Sequence, residues 1–238
     1  MKKTKQMTLD KTSELSRIKN IYVIGCGGVG GILIHYLWKM FNKKGITLHL
    51  MDGDRYSLSN LDRQYFNSFG NKAEVTAQYI MSQPSVFLKI KHYNRFYKSE
   101  YDLGLKEDSL VICAADNHWT RIILQASAKK LKNVIFFSGG NEYTDGNVQF
   151  FVHSDGKLIS GDYIETYHQE LKELGEMPKF GGSCDSKSDP QLLVTNLNVA
   201  TIMLNTLWTI LEHKLPEYSE IYFDVIKNTS KPIVRKDK

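Results

Sequence analysis

Apolar and polar positions along the chain follow two alternating rhythms. Short unbroken apolar runs bounded by turn formers give way to longer segments in which apolar positions return every three or four residues. The first run, Ile21 to Ile24, meets "GCGGVGG" and then an apolar series at helical spacing, so residues 21–37 read as strand, tight turn and helix. "GITLHLMD" (45–52) reads as a second strand ending in an acid, and "KAEVTAQYIMSQ", from Lys72 to Gln83, as a helix that Pro84 stops. "SVFLKIKHY", "SLVICAAD" (109–116) and "NVIFFSGG" supply three further strands, with "RIILQASAKKLK" a helix between the last two. This alternation predicts an α/β, Rossmann-like, doubly wound and mostly parallel sheet, with right-handed crossovers and helices on both faces.

From Asn147 the pattern changes. "NVQFFVH", a turn at "SDGK" and a polar stretch to Pro190 predict a short antiparallel extension and a long loop. "DPQLLVTNLNVATIMLNTLWTILEH" reads as a long apolar helix with Asp189 as N-cap and Pro190 in its first turn. "SEIYFDV" reads as a closing strand and "NTSKPIVRKDK" as a frayed polar end. No linker or repeat interrupts the pattern, so the expected organisation is an N-terminal extension over 1–18 and one domain over 19–238. Its nucleotide-binding part covers about 19–146 and its C-terminal part about 147–238.

Composition narrows this picture modestly. The 238 residues are 42% hydrophobic, enough for a sizeable core, and the net charge of +5 suits anionic ligands while the scattered lysines do not single out nucleic acid. The basic N-terminus has no apolar h-region, and "VATIMLNTLWTIL" is broken by Asn and Thr, so neither export nor a membrane span is expected. Three cysteines in unlike contexts, Cys26, Cys113 and Cys184, point to reduced thiols in a cytoplasm, and without any CxxC no zinc is expected. Trp38 and Trp208, in apolar helical series, read as core or interface.

The chemistry gathers around the glycine turn. Gly25, Gly27, Gly28 and Gly30 let a phosphate approach bare N–H groups at a helix N-terminus, a property shared by NAD, FAD and ATP sites and short of distinguishing them from a plain tight turn. Asp52 stands where an acid of this fold takes ribose hydroxyls. In the loop that follows, Asn60, Arg63 and Gln64 cluster beside Lys72. A dinucleotide pyrophosphate is held largely by backbone N–H groups, whereas a γ-phosphate calls for an Arg fork and a Lys. Because the fourth strand of this fold lies beside the first, Asp116 emerges next to the glycine turn, where it either ligates Mg²⁺ or caps the helix carrying Trp119 and Arg121.

Together "GCGGVGG", "MDGDRYSLSNLDRQYF", the lysine of "GNKAEV" and "ADNHWTR" closely resemble, in order and spacing, the superfamily of ThiF, MoeB and the ubiquitin-activating enzymes. The resemblance spans residues 21 to about 125. It implies adenylation of a carboxylate, usually the C-terminal glycine of a ubiquitin-like β-grasp protein, with ATP and Mg²⁺ and release of pyrophosphate. Carried over by motif, Gly25, Gly27, Gly28, Gly30, Asp52, Asp54, Asn60, Arg63, Gln64, Lys72 and Asn117 would bind ATP. Arg63, Lys72 and Asp116 would act in catalysis, Asp116 as the magnesium ligand. Cys184, in "FGGSCDSKSDPQ", matches the place where several relatives carry an acceptor cysteine. The resemblance also implies a homodimer. Gly70-Asn71-Lys72 is one residue shorter than the family's GxxK, and the zinc-binding cysteine pairs of many relatives are absent. The alternatives are a relative that activates a carboxylate on a tRNA base and a nucleotide-binding partner protein without turnover.

Overall fold

Along the first strand, β1 (Asn20–Ile24), alternate side chains enter two different cores. Ile21 and Val23 pack into one, Tyr22 and Ile24 into the other, and all four are buried, as an unbroken apolar strand of a two-faced parallel sheet requires. The structure is a computed structural model that describes residues 17–171, 177–178, 180 and 192–234.

The chain continues through α1 (Gly28–Met40), β2 (Thr47–Met51), α2 (Lys72–Met81), β3 (Lys89–Tyr93), β4 (Ser109–Cys113), α3 (His118–Lys129) and β5 (Val134–Asn141). It then runs through β6 (Asp145–Ser154), β7 (Lys157–Gly161), the short α4 (Ile164–Tyr167), α5 (Leu193–Glu212), β8 (Glu220–Asp224) and β9 (Thr229–Ile233). The strands form one sheet in the order β3-β2-β1-β4-β5-β6-β8-β9, with β7 also on β6. From β3 to β5 the neighbours are parallel, and from β6 onward antiparallel. Strand β6 is shared: Asp145–Gln149 pair with β8 while Phe151–Ser154 pair with β7.

Helices α1 and α5 pack together on one face, whose core includes Leu33, Leu37, Val199 and Met203; α3 covers the other face with Leu124 and Ala128. By length and composition α5 could cross a bilayer, but its Val199, Met203, Leu207 and Ile210 are buried in the core.

The doubly wound plan stands as the sequence reading has it, and four details differ. The third strand starts at Lys89 because Ser85 adopts a positive φ of 62°, which turns the chain after α2. Helix α3 starts at His118, and its cap is Asn117, whose side chain accepts from Thr120 N at 2.8 Å; Asp116 does not cap it. Helix α5 starts at Leu193 after Leu192, without a side-chain cap, while Asp189 and Pro190 lie outside the described residues. Residues 229–233 are not a frayed end: they pair with β8 as the outermost strand, where Pro232 can sit because an edge strand has one unpaired side.

Candidate functional site

At the C-terminal end of β1 the chain turns through Gly25, whose φ is +94° and where a Cβ would lie 2.6 Å from the Ala114 carbonyl oxygen. Only glycine lets the turn pass this close to β4. A Cβ on Gly30 would lie 1.8 Å from Gly25 O, so the first turn of α1 closes directly on the loop that precedes it. Gly28 faces the buried side chain of Asn196 from α5. No side chain caps α1 and no acid stands in its first turn. Its N-terminal N–H groups and dipole therefore favour an anion from outside.

Asp52, one residue past β2, ties this turn down. Its Oδ2 accepts from Cys26 N at 2.7 Å and its Oδ1 from Asp54 N at 2.8 Å. Burial pushes its carboxyl up to about 6, opposed by Lys72 and by the two backbone donors. Each oxygen keeps a lone pair for a further donor.

Asn71 then joins the loop after β2 to α2. Its Oδ1 caps α2 by accepting from Glu74 N at 3.1 Å, while its Nδ2 donates to the carbonyls of Asp52 and Asp54 at 2.8 and 3.1 Å. The next residue, Lys72, is thereby fixed at the helix start. Its side chain is 5% exposed, and its Nζ lies 3.5 Å from Asp54 Oδ2. A Cβ on Gly27 would meet Lys72 Nζ at 3.8 Å and the Gln64 amide nitrogen at 3.7 Å, so both side chains stand over the glycine turn. Gln64 Oε1 is buried and has no partner among the described residues. Tyr56 closes the floor by donating its hydroxyl to Cys26 O at 3.0 Å.

The structure thus brings Gly25, Gly27, Gly28, Gly30, Asp52, Asp54, Gln64 and Lys72 together. Asn60 and Arg63 are adjacent but locally engaged. Buried Asn60 accepts from Ser57 N through Oδ1 at 3.0 Å, and its carbonyl accepts from Gln64 N at 2.9 Å, so it shapes the loop that presents Gln64. Arg63 donates to Ser59 O at 2.7 Å and pairs with Asp62 at 2.9 Å. Asn117 caps α3, and exposed Asp116 follows Ala114 and Ala115, which pack against Gly25. Cys184 lies outside the described residues. Cys26 and Cys113 are buried, and burial pushes both thiols up, which leaves them protonated packing residues. Sequence reading passed over Asn71 and Asn196. Asn71 was findable, because Asn-x-x-Glu before an apolar periodic run is a helix-start signal; Asn196 depends on tertiary packing alone.

A glycine turn at a helix N-terminus, a buried acid after the second strand and a lysine over the turn are the features with which an α/β fold takes a nucleotide. The chain belongs to the ThiF family, whose model matches residues 2–230. It is 28% identical over 163 residues to ubiquitin-like modifier-activating enzyme 5 of Drosophila grimshawi, a match covering 61% of this chain and 40% of that protein. With the enzyme of the same name from Drosophila melanogaster it shares 26% over 168 residues, covering 63% and 40%. The chain thus matches about two fifths of the length of these relatives. Among solved structures it resembles E. coli MccB determined with ATP, at a TM-score of 0.66 and 18% identity, covering 92% of this chain and 65% of that one. PaaA aligns at a TM-score of 0.62 and 17% identity, covering 92% and 65%. At these identities the structural likeness establishes the fold.

Proposed function

We propose that this chain adenylates a carboxylate with ATP, the substrate being the C-terminal glycine of a ubiquitin-like β-grasp protein, and releases pyrophosphate. The observation that carries the reading is the convergence of Asp52, Gln64 and Lys72 on the glycine turn: an acceptor for ribose hydroxyls, and a cation with an open N-terminal helix end for phosphates. A carboxylate nucleophile needs no general base. The chemistry to be supplied is charge stabilisation at the leaving pyrophosphate, which Lys72 is placed to give, with Arg63 nearby. Asp116, exposed and without a hydrogen bond among the described residues, suits Mg²⁺, which takes few protein carboxylates and completes its shell with phosphate oxygens and water. The names of the Drosophila relatives support a protein substrate, and MccB, solved with MccA as well as with ATP, supports an ATP site in this fold. Action in the cytoplasm as a homodimer, and onward transfer to Cys184, complete the reading. Leu197 and Trp208, exposed on α5, would supply the dimer face.

Thermal unfolding tests the nucleotide preference. ATP with Mg²⁺ at a hundredfold its dissociation constant is expected to add about 2.7 kcal/mol of stability, with NADH adding none. In Asp116→Ala the magnesium-dependent part of that gain is expected to vanish. Stabilisation by NADH and not by ATP would overturn the reading.

ATP affinity should also depend on pH through Asp52. The ionised carboxylate is the acceptor, so ATP affinity is retained above about pH 6 and falls as protonation proceeds, approaching about tenfold per pH unit below the pKa. The unliganded fold responds with the opposite sign. A folded pKa raised above the unfolded value means that stability declines as pH rises from about 4 to about 6. Isothermal titration across this range is expected to show the affinity loss in the wild type and a flat, weak profile in Asp52→Asn.

A further inference from the structure

Arg121 carries a charge that the described residues leave unanswered. It stands one turn into α3, on the face of the sheet opposite α1 and α5. Its Nη1 reaches Ser138 Oγ at 3.5 Å, the long limit of a hydrogen bond, and its Nε is shut off from solvent with no acceptor among the described residues. Lys72, Lys129, Lys130 and Arg63 each meet a carboxylate. Arg121 has only the longer-range influence of Asp116 and the Cys113 thiol. An arginine does not escape partial burial by losing its proton, and a half-buried cation without a carboxylate beside it favours an incoming anion.

The surrounding backbone makes room for this group. A Cβ on Gly140 would lie 2.4 Å from Arg121 Nη2 and 2.6 Å from Nη1, so β5 accommodates the guanidinium by lacking a side chain there. The location is the rim formed by the C-terminal ends of β4 and β5, and β4 pairs directly with β1, whose end carries the glycine turn. The phosphate-binding features already described, the α1 N-terminus and Lys72, belong to the other side of the sheet.

We infer that Arg121 receives the carboxylate of the substrate, presenting the fork of its guanidinium to the two oxygens. This inference rests on the adenylation reading. A single cation held in a fixed plane matches a singly charged, planar anion, and the paired geometry would orient the carboxylate toward the α-phosphate. Binding also supplies the missing counter-charge, so the cost of enclosing Arg121 is offset when substrate enters.

The test uses the Nε–Hε NMR signal of Arg121, assigned by its disappearance in Arg121→Lys, in the full chain loaded with a non-hydrolysable ATP analogue. The probes are a peptide ending in Gly-Gly, the same peptide with a C-terminal amide, and inorganic phosphate. The free-acid peptide is expected to move the signal and the other two to leave it in place. In Arg121→Gln the peptide's dissociation constant is expected to rise at least about tenfold, the loss of a charge-assisted hydrogen bond, while stabilisation by ATP is unchanged. No response to the free acid, or an equal response to the amide, overturns the inference. Movement caused by phosphate or by the ATP analogue itself also overturns it and gives Arg121 to the nucleotide. Stabilisation by ATP in the same samples keeps these failures separate from failure of the adenylation reading, which predicts that stabilisation whatever Arg121 does.

Discussion

Lys72→Ala is expected to lower carboxylate-dependent ATP–pyrophosphate exchange by about a hundred- to a thousandfold, roughly 2.7–4 kcal/mol of transition-state stabilisation. The lysine is buried to 4% exposure at the start of α2 and stands over Gly27, where phosphates would approach the helix end. Its removal takes away a cation and also exposes the phosphates to Asp52 and Asp54, which Lys72 now balances. Both effects oppose charge accumulating on pyrophosphate. The fold should register the change too, by about 1 kcal/mol or more, because Lys72 also opposes the cost of burying the Asp52 carboxylate. Exchange kinetics and a thermal melt on the same sample check both halves. Exchange near the wild-type rate would remove Lys72 from the chemistry.

Gly30→Ala is expected to cost about 3 kcal/mol of stability or more and to abolish nucleotide binding, since its Cβ would sit 1.8 Å from a backbone oxygen that cannot swing aside. Relief requires α1 to move away from the Gly25 turn, and that movement would dismantle the proposed phosphate site. Gly104→Ala is the control: nothing lies within 4 Å of its Cβ, and the change should stay within about 0.5 kcal/mol. Denaturant melts of the two variants compare them directly. Equal stabilities would show that the turn adapts more than its geometry implies.

The parallel half of the sheet was legible because burial on both faces leaves unbroken apolar runs, and because turn formers separate them from helical periodicity. The placement of Asp116 beside the glycine turn followed from topology alone, since β4 pairs with β1 in register from Asn20↔Ser109 to Ile24↔Cys113. Strand β9 was invisible for the opposite reason. All five of its residues are at least partly exposed, so burial imposes no apolar alternation on them, and only pairing with β8 reveals them as a strand. The roles of Asn60 and Arg63 were readable as loop polarity and not as geometry. Which oxygen each side chain meets depends on the tight turn at Leu58–Asn60, a three-residue feature with no periodicity to read. The unanswered charge of Arg121 belongs to the same class, because its isolation depends on what β5 omits at Gly140.

Besides the free side of β7, the sheet has two outer rims at which a foreign strand could add. At one, β3 carries exposed Lys89, Lys91 and His92; at the other, β9 carries Lys231 and the N–H-less Pro232. Lysine and proline at such rims discourage backbone-to-backbone pairing between molecules. Self-templated fibre growth is therefore obstructed at both of these rims. On the adenylation reading, a protein substrate would be recognised by side chains and loops along the strand ends, where nucleotide and carboxylate would meet.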